Sequence, residues 1–330
     1  MSRPPRAAVD SALGAQQTSS PTGKGVQHSQ TVTLHRLKPV FAIGAFASVV
    51  LLSAYRTTRL LIVAGQPGAP GWGLVDFRDA VYYPVVSFLE GNNPYASASY
   101  MATYPVGNQF PLYLPVTLLL HLPFGLLPFK VAEVVYFLTT VALMPVLAYL
   151  TLRSCRRDAT LAAVFGLAFL ILFSAPGQWN IFLGQCTAPV VVGTYAALYY
   201  ARRRPWLSAI SVAVASFKPT SGVPLGLLML ARGDVAPVLG GAALSAGLSA
   251  AITGVLVRNS GGLTPFLASL AESYHSFGAD PIVDPATSPY RVDVAGFVGR
   301  LLGRSLGTTV EITIFIFVLG LTAWAWPSPK

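Results

Sequence analysis

Residues 76–130 read DFRDAVYYPVVSFLEGNNPYASASYMATYPVGNQFPLYLPVTLLLHLPFGLLPFK. The first half gathers acidic side chains, tyrosines and turn residues. The second half is a membrane-grade apolar run broken by Pro111, Pro115, Pro123 and Pro128. Proline ends or kinks a helix because it lacks the N–H and clashes with the preceding turn. A polar, aromatic loop beside a broken apolar segment points to chemistry at a membrane surface.

The rest of the chain agrees. Of 330 residues, 53% are hydrophobic and only 10% are charged, against about 25% charged in soluble domains. Several apolar runs approach the roughly 20 residues that span a bilayer. The sequence therefore predicts an all-α polytopic membrane protein. The net charge of +10 does not indicate a nucleic-acid partner. The cations sit beside apolar runs, at Arg36 and Lys38, Arg153, Arg156 and Arg157, and Arg202–Arg204, as expected for charges on the cytoplasmic side.

Residues 1–34 lack an apolar period and read as a disordered cytoplasmic tail. Residues 35–330 read as one multi-span domain with eight to ten membrane segments. Its two large outer loops cover about 66–110 and 258–307. Between 111 and 152 we expect one crossing plus a re-entrant segment, because two crossings would put Arg153–Arg157 outside. Asp79–Gly91 reads as an amphipathic helix with Val81, Val85, Phe88 and Leu89 on one side. Residues 177–185 read as an outer turn. Cys155 and Cys186 fall near opposite faces, too far apart to pair. No metal-ligand spacing is present.

Aqueous chemistry is confined to the outer loops, so few of the twelve carboxylates are candidates. Asp76 and Asp79 stand three apart and would share a helix face. Either is also a good helix N-cap. Lys218 lies between two apolar runs, well beyond the Arg202–Arg204 cluster, and Pro219 follows it. A cation at membrane depth is costly and usually functional, so Lys218 is a candidate anion site. Gln178, Asn180 and Gln185 form an amide-rich stretch suited to sugar hydroxyls. His121 reads as an interhelical histidine. His275 lies in the second loop with Arg291.

In order, DF…YY…GNNPY, YP…FPLY, LLL..P.GLLP, LGQ and a span ending in KP resemble the polyprenyl-phosphate-mannose-type glycosyltransferases of family 87. These belong to the GT-C superfamily, and bacterial phosphatidylinositol mannosyltransferases are relatives. The resemblance covers about residues 74–230 and implies a GT-C-like transmembrane helical bundle with juxtamembrane helices in its outer loops. It implies inverting transfer of a hexose, by family default mannose, from a polyprenyl-phosphate donor to a lipid or glycan acceptor. The active site would face the extracytoplasmic side of the cell membrane, among membrane lipids, with no metal or cofactor called for. By the same resemblance Asp76 is the catalytic base, with Asp79 the alternative, Lys218 takes the KP position, and His275 is the second-loop histidine. Gln185, Tyr82, Tyr95, Tyr104, Asn108 and Arg291 are the candidate substrate contacts. A transporter or a non-catalytic relative are the competing readings. An enzyme should bring Asp76, Lys218 and the second loop together.

Overall fold

The computed structural model describes residues 24–63, 73–278, 294–304 and 306–325. Among these residues every regular element is helical. In chain order, α1 (Lys24–Val63) is followed by the short α2 (Val75–Phe77), a π-helical turn (Arg78–Tyr82), α3 (Tyr83–Leu89) and α4 (Ser97–Thr103). An extended stretch then leads to α5 (Val116–Leu120) and α6 (Leu122–Gly125). The long α7 (Phe129–Ser154), α8 (Leu161–Phe173), α9 (Ala175–Leu183) and α10 (Thr187–Tyr200) come next. The remainder is α11 (Pro205–Ser216), α12 (Pro219–Ala231), α13 (Val235–Asn259), α14 (Leu263–Gly278), α15 (Val294–Leu302) and α16 (Thr308–Ala325).

By length and composition, four of the described helices can cross a membrane: Leu37–Arg59, α7, α13 and α16. A fifth crossing results if α8 and α9, bent by 74°, count as one broken span. The eight to ten expected segments are thus mostly shorter helices. α10, α11 and α12 have 14, 12 and 13 residues, below the roughly 20 needed for a straight crossing. Gly184, Pro205 and Pro219 make the cuts. Residues 111–127 contain no helix of crossing length, whereas α7 is long and apolar enough to cross.

The tail expectation changes at one end. Residues 1–23 lie outside the described residues, whereas 24–34 form the start of α1. Once a helix is nucleated, each further residue fixed gains a backbone hydrogen bond, whereas the first turn fixes several residues for one bond.

Two cores hold the membrane bundle. In one, Phe46 and Val49 of α1 meet Met144 and Ala148 of α7 and Val164, Ala168 and Leu172 of α8. The other joins α10 to α13 through Ala197, Val212, Leu225 and Val238. Small residues let these helices close. A Cβ on Gly241 would stand 2.6 Å from Val212 Cβ and 2.7 Å from the Ala209 carbonyl oxygen, so glycine is the residue that fits.

A third core is built largely from the two large loops. Val85, Tyr95, Tyr100, Phe110 and Leu118 enclose Phe266 of α14. Asn93 Nδ2 donates to Ser260 Oγ at 3.0 Å, and Gln109 Nε2 donates to the Ser273 carbonyl at 3.2 Å. The first loop and the described start of the second therefore lie on the same side of the molecule.

Candidate active site

Asp76 is the middle residue of α2. Its placement begins at Gly184, the left-handed cap of α9 (φ 69°). A Cβ there would stand 2.8 Å from Phe77 Cβ and 3.0 Å from Leu74 Cδ2. Glycine thus supplies both the positive φ and the close approach. The Leu74 amide donates to the Phe182 carbonyl at 2.8 Å, which locks α2 onto the end of α9. Leu74 itself takes φ 54°, an unfavourable conformation for a branched side chain. The next residue after the cap, Gln185, brings its side chain beside that of Asp76.

The expected turn over 177–185 is therefore a helix for most of its length. Ser174 caps α9, its Oγ accepting from the Gly177 amide at 3.2 Å, and Pro176 occupies the first turn. Proline suits that position because the N–H it lacks would be unpaired there.

Lys218 arrives from the opposite wall. α11 ends at Ser216 and α12 starts at Pro219, leaving Lys218 extended between them (φ −95°, ψ 101°). The Phe217 carbonyl accepts from the Leu114 amide at 3.0 Å, so the extended stretch 111–115 docks on the break. Lys218 Nζ donates to Thr187 Oγ1 at 3.2 Å and stands 5.3 Å from the Tyr113 ring centroid.

The two charges form one site. Burial pushes the Asp76 carboxyl up to about 6 from an ordinary 3.8. Lys218 pulls it down, Gln185 does so more weakly, and Asp79 adds a smaller upward push. A carboxylate tuned near 6 is ionised at neutral pH yet basic enough to take a proton, which is the requirement for a general base. Thr187, Tyr113 and the buried Cys186, whose Sγ lies 3.5 Å from Tyr113 Oη, complete the wall around Lys218. None of these three is a site candidate in the sequence, where Cys186 reads only as an unpaired cysteine, although Cys186 and Thr187 directly follow the Gln185 motif.

Asp79 is in a different position. It is 2% exposed and its carboxylate is already occupied. Arg78 Nε donates to Oδ1 at 2.6 Å, while the Gly107 and Asn108 amides donate to Oδ2 at 3.1 and 2.9 Å. Asn108 Nδ2 adds a bond of 3.2 Å. Neither Asp76 nor Asp79 caps a helix, because α2 begins before both and its N-cap residue is Leu74. Asp79 instead ties the π-helical turn to residues 107–108.

The other candidate contacts are mostly engaged within the protein. Tyr82 Oη donates to the Leu127 carbonyl at 3.0 Å and Tyr95 Oη to the Tyr113 carbonyl at 2.6 Å. Tyr104 Oη donates to Glu90 Oε2 at 2.5 Å. His275 is exposed on α14 with its ring 6.0 Å from that of Tyr274. Arg291 lies outside the described residues. His121 is buried, with Nδ1 3.3 Å from Thr117 Oγ1 and its ring edge-on to Phe217. In the expected amphipathic helix Val81 and Val85 are buried, whereas Leu89 is 46% exposed.

Among known families, the model of glycosyltransferase family 87 matches residues 112–329. The chain belongs to glycosyltransferase family 87. No curated protein and no solved structure matches it. Family 87 membership makes the chain a membrane glycosyltransferase, with a sugar donor and an acceptor as substrates. The match includes Gln185, Lys218 and His275. It starts after Asp76, so the tie between Asp76 and the family 87 region rests on the packing of Leu74 and Phe77 against the end of α9 and on the electrostatic influence of Lys218 on Asp76.

Proposed function

We propose that this chain moves a hexose, mannose first among them, from a polyprenyl-phosphate donor to a lipid or glycan acceptor. The reaction takes place on the extracytoplasmic side of the cell membrane and inverts the anomeric carbon. The observation that carries the reading is the convergence of one carboxylate tuned to about 6, one amide and one cation: Asp76, Gln185 and Lys218.

In this reading Asp76 accepts the proton of the acceptor hydroxyl as its oxygen attacks the anomeric carbon. The bond from that carbon to the phosphate oxygen breaks, and its electron pair leaves with the lipid phosphate. The Lys218 ammonium offsets the charge that develops on this leaving group. Attack opposite the leaving phosphate gives inversion in one displacement. A polyprenyl tail needs an apolar, laterally open surface. Leu119, Leu120 and Leu126, all exposed on the short helices after the extended stretch, support such a surface.

Purified protein would be incubated with labelled polyprenyl-phosphate sugars and total membrane lipid, and products analysed for label and anomeric configuration. Transfer from the mannosyl donor with inversion is expected. Absence of transfer from every polyprenyl-phosphate sugar would overturn the donor assignment.

A further inference from the structure

One polar group in the site has no role in the mechanism above. Tyr136 sits on α7 and is 3% exposed. Its ring lies 4.6 Å from that of Phe77, the neighbour of Asp76, and 5.2 Å from Phe124. It shares a core with Phe77, Cys186 and Phe217, the first and last of which are the chain neighbours of Asp76 and Lys218. Yet among the described residues its hydroxyl makes no hydrogen bond. The Thr140 hydroxyl on the next turn donates to the Tyr136 carbonyl at 3.0 Å and makes no hydrogen bond with the phenol.

A buried, unbonded phenol is costly, and phenylalanine would fill the same volume without that cost. Such a group is retained where a ligand completes it. We propose that the Tyr136 hydroxyl binds the transferred sugar, donating to one of its oxygens, and so helps determine which sugar the enzyme accepts. The chemistry favours sugar over phosphate. The anionic phosphate is served by the ammonium of Lys218, whereas a neutral O–H within an aromatic wall suits a sugar, with its apolar C–H face and hydroxyl rim. Asp76 and Gln185 supply further polar groups for that rim. The inference rests on the donor reading above.

The test measures binding of two probes, polyprenyl-phosphate mannose and sugar-free polyprenyl phosphate, to wild type, Tyr136→Phe and Lys218→Ala. The loss of one hydrogen bond should weaken Tyr136→Phe binding of the mannosyl lipid by about tenfold and leave the sugar-free lipid unchanged. Lys218→Ala should lose affinity for both. Thermal unfolding of Tyr136→Phe should occur at the wild-type temperature or above, because the variant removes an unpaired buried polar group. Wild-type affinity of Tyr136→Phe for the mannosyl lipid would overturn the Tyr136 assignment and leave the donor reading standing. Equal loss of both lipids would also overturn it, because the hydroxyl would then serve the phosphate. If wild type binds neither lipid, the donor reading fails and the Tyr136 assignment fails with it.

Discussion

Lys218 stands close enough to Asp76 to hold its carboxyl down against the stronger upward push of burial. One residue sits at a helix break within the bundle and the other on a three-residue helix of the first large loop. Their approach depends on two local devices, the Gly184 cap and the docking of residues 111–115 onto the Phe217 carbonyl.

This pairing predicts a pH effect. The rate should rise with pH through about 6 as Asp76 ionises. Stability runs the other way. The folded state binds the Asp76 proton more tightly than the unfolded chain, so the Asp76 contribution to stability falls as pH rises from 3.8 to about 6. Lys218→Ala removes the downward pull and should move the acid limb of the rate profile to higher pH. It should also weaken donor binding by about 10–100-fold, and Lys218→Arg should keep part of the activity. A Lys218→Ala profile with unchanged donor affinity and an unshifted acid limb would separate the two residues functionally.

Gly184→Ala places a Cβ against Phe77 and Leu74 in a left-handed conformation. It should cost about 1–2 kcal/mol from backbone alone and reduce turnover about 10²-fold by displacing Asp76. Gly233→Ala is the control. Its φ is +80° but nothing lies within 4 Å of the added Cβ, so it should lose stability and keep turnover. Equal turnover in the two variants would remove Gly184 from the positioning of Asp76.

Asp79→Asn should act on stability first. It leaves the part-buried Arg78 without its carboxylate partner and puts an amide where two backbone N–H groups donate. A cost of about 3 kcal/mol is expected, seen as a lower unfolding temperature, with a smaller loss of turnover per folded molecule than for Asp76→Asn. An unchanged unfolding temperature would contradict the tethering role.

Much of this was legible in the sequence. The prolines after Gln109 predicted a segment that does not cross, and Lys218-Pro219 predicted a cation at a helix break. Asp76 emerged by elimination and resemblance. The partners of these residues were less visible. Gln185 owes its place to the positive φ of Gly184, which composition does not encode. Asp79 looked like a cap because its tethers, Gly107 and Asn108, are distant in sequence. Tyr136 lies in an apolar helical run, where a tyrosine ordinarily signals packing alone. The short helices α10–α12 were counted as spans because hydropathy measures apolar content and not where the backbone breaks.

The shared side of the two outer loops gives a topology prediction. Cysteines introduced at Ser99 and Ala268, both exposed, should label from outside intact cells, with Arg153–Arg157 and Arg202–Arg204 facing the cytoplasm. Ser260 is less suitable because Asn93 donates to it. Protection of both sites would place the active site on the cytoplasmic side. Protection of only one would contradict the contact between the loops.

The central claim is that Asp76 is the base, and turnover of Asp76→Asn at saturating donor tests it most directly, with donor affinity measured in parallel. Asparagine keeps the shape but cannot take the acceptor proton. The account predicts a fall in turnover of about 10²–10⁴ with donor affinity and unfolding temperature close to wild type. Turnover near wild type in Asp76→Asn would contradict it and pass the role of base to Asp79 or to a group outside the first loop.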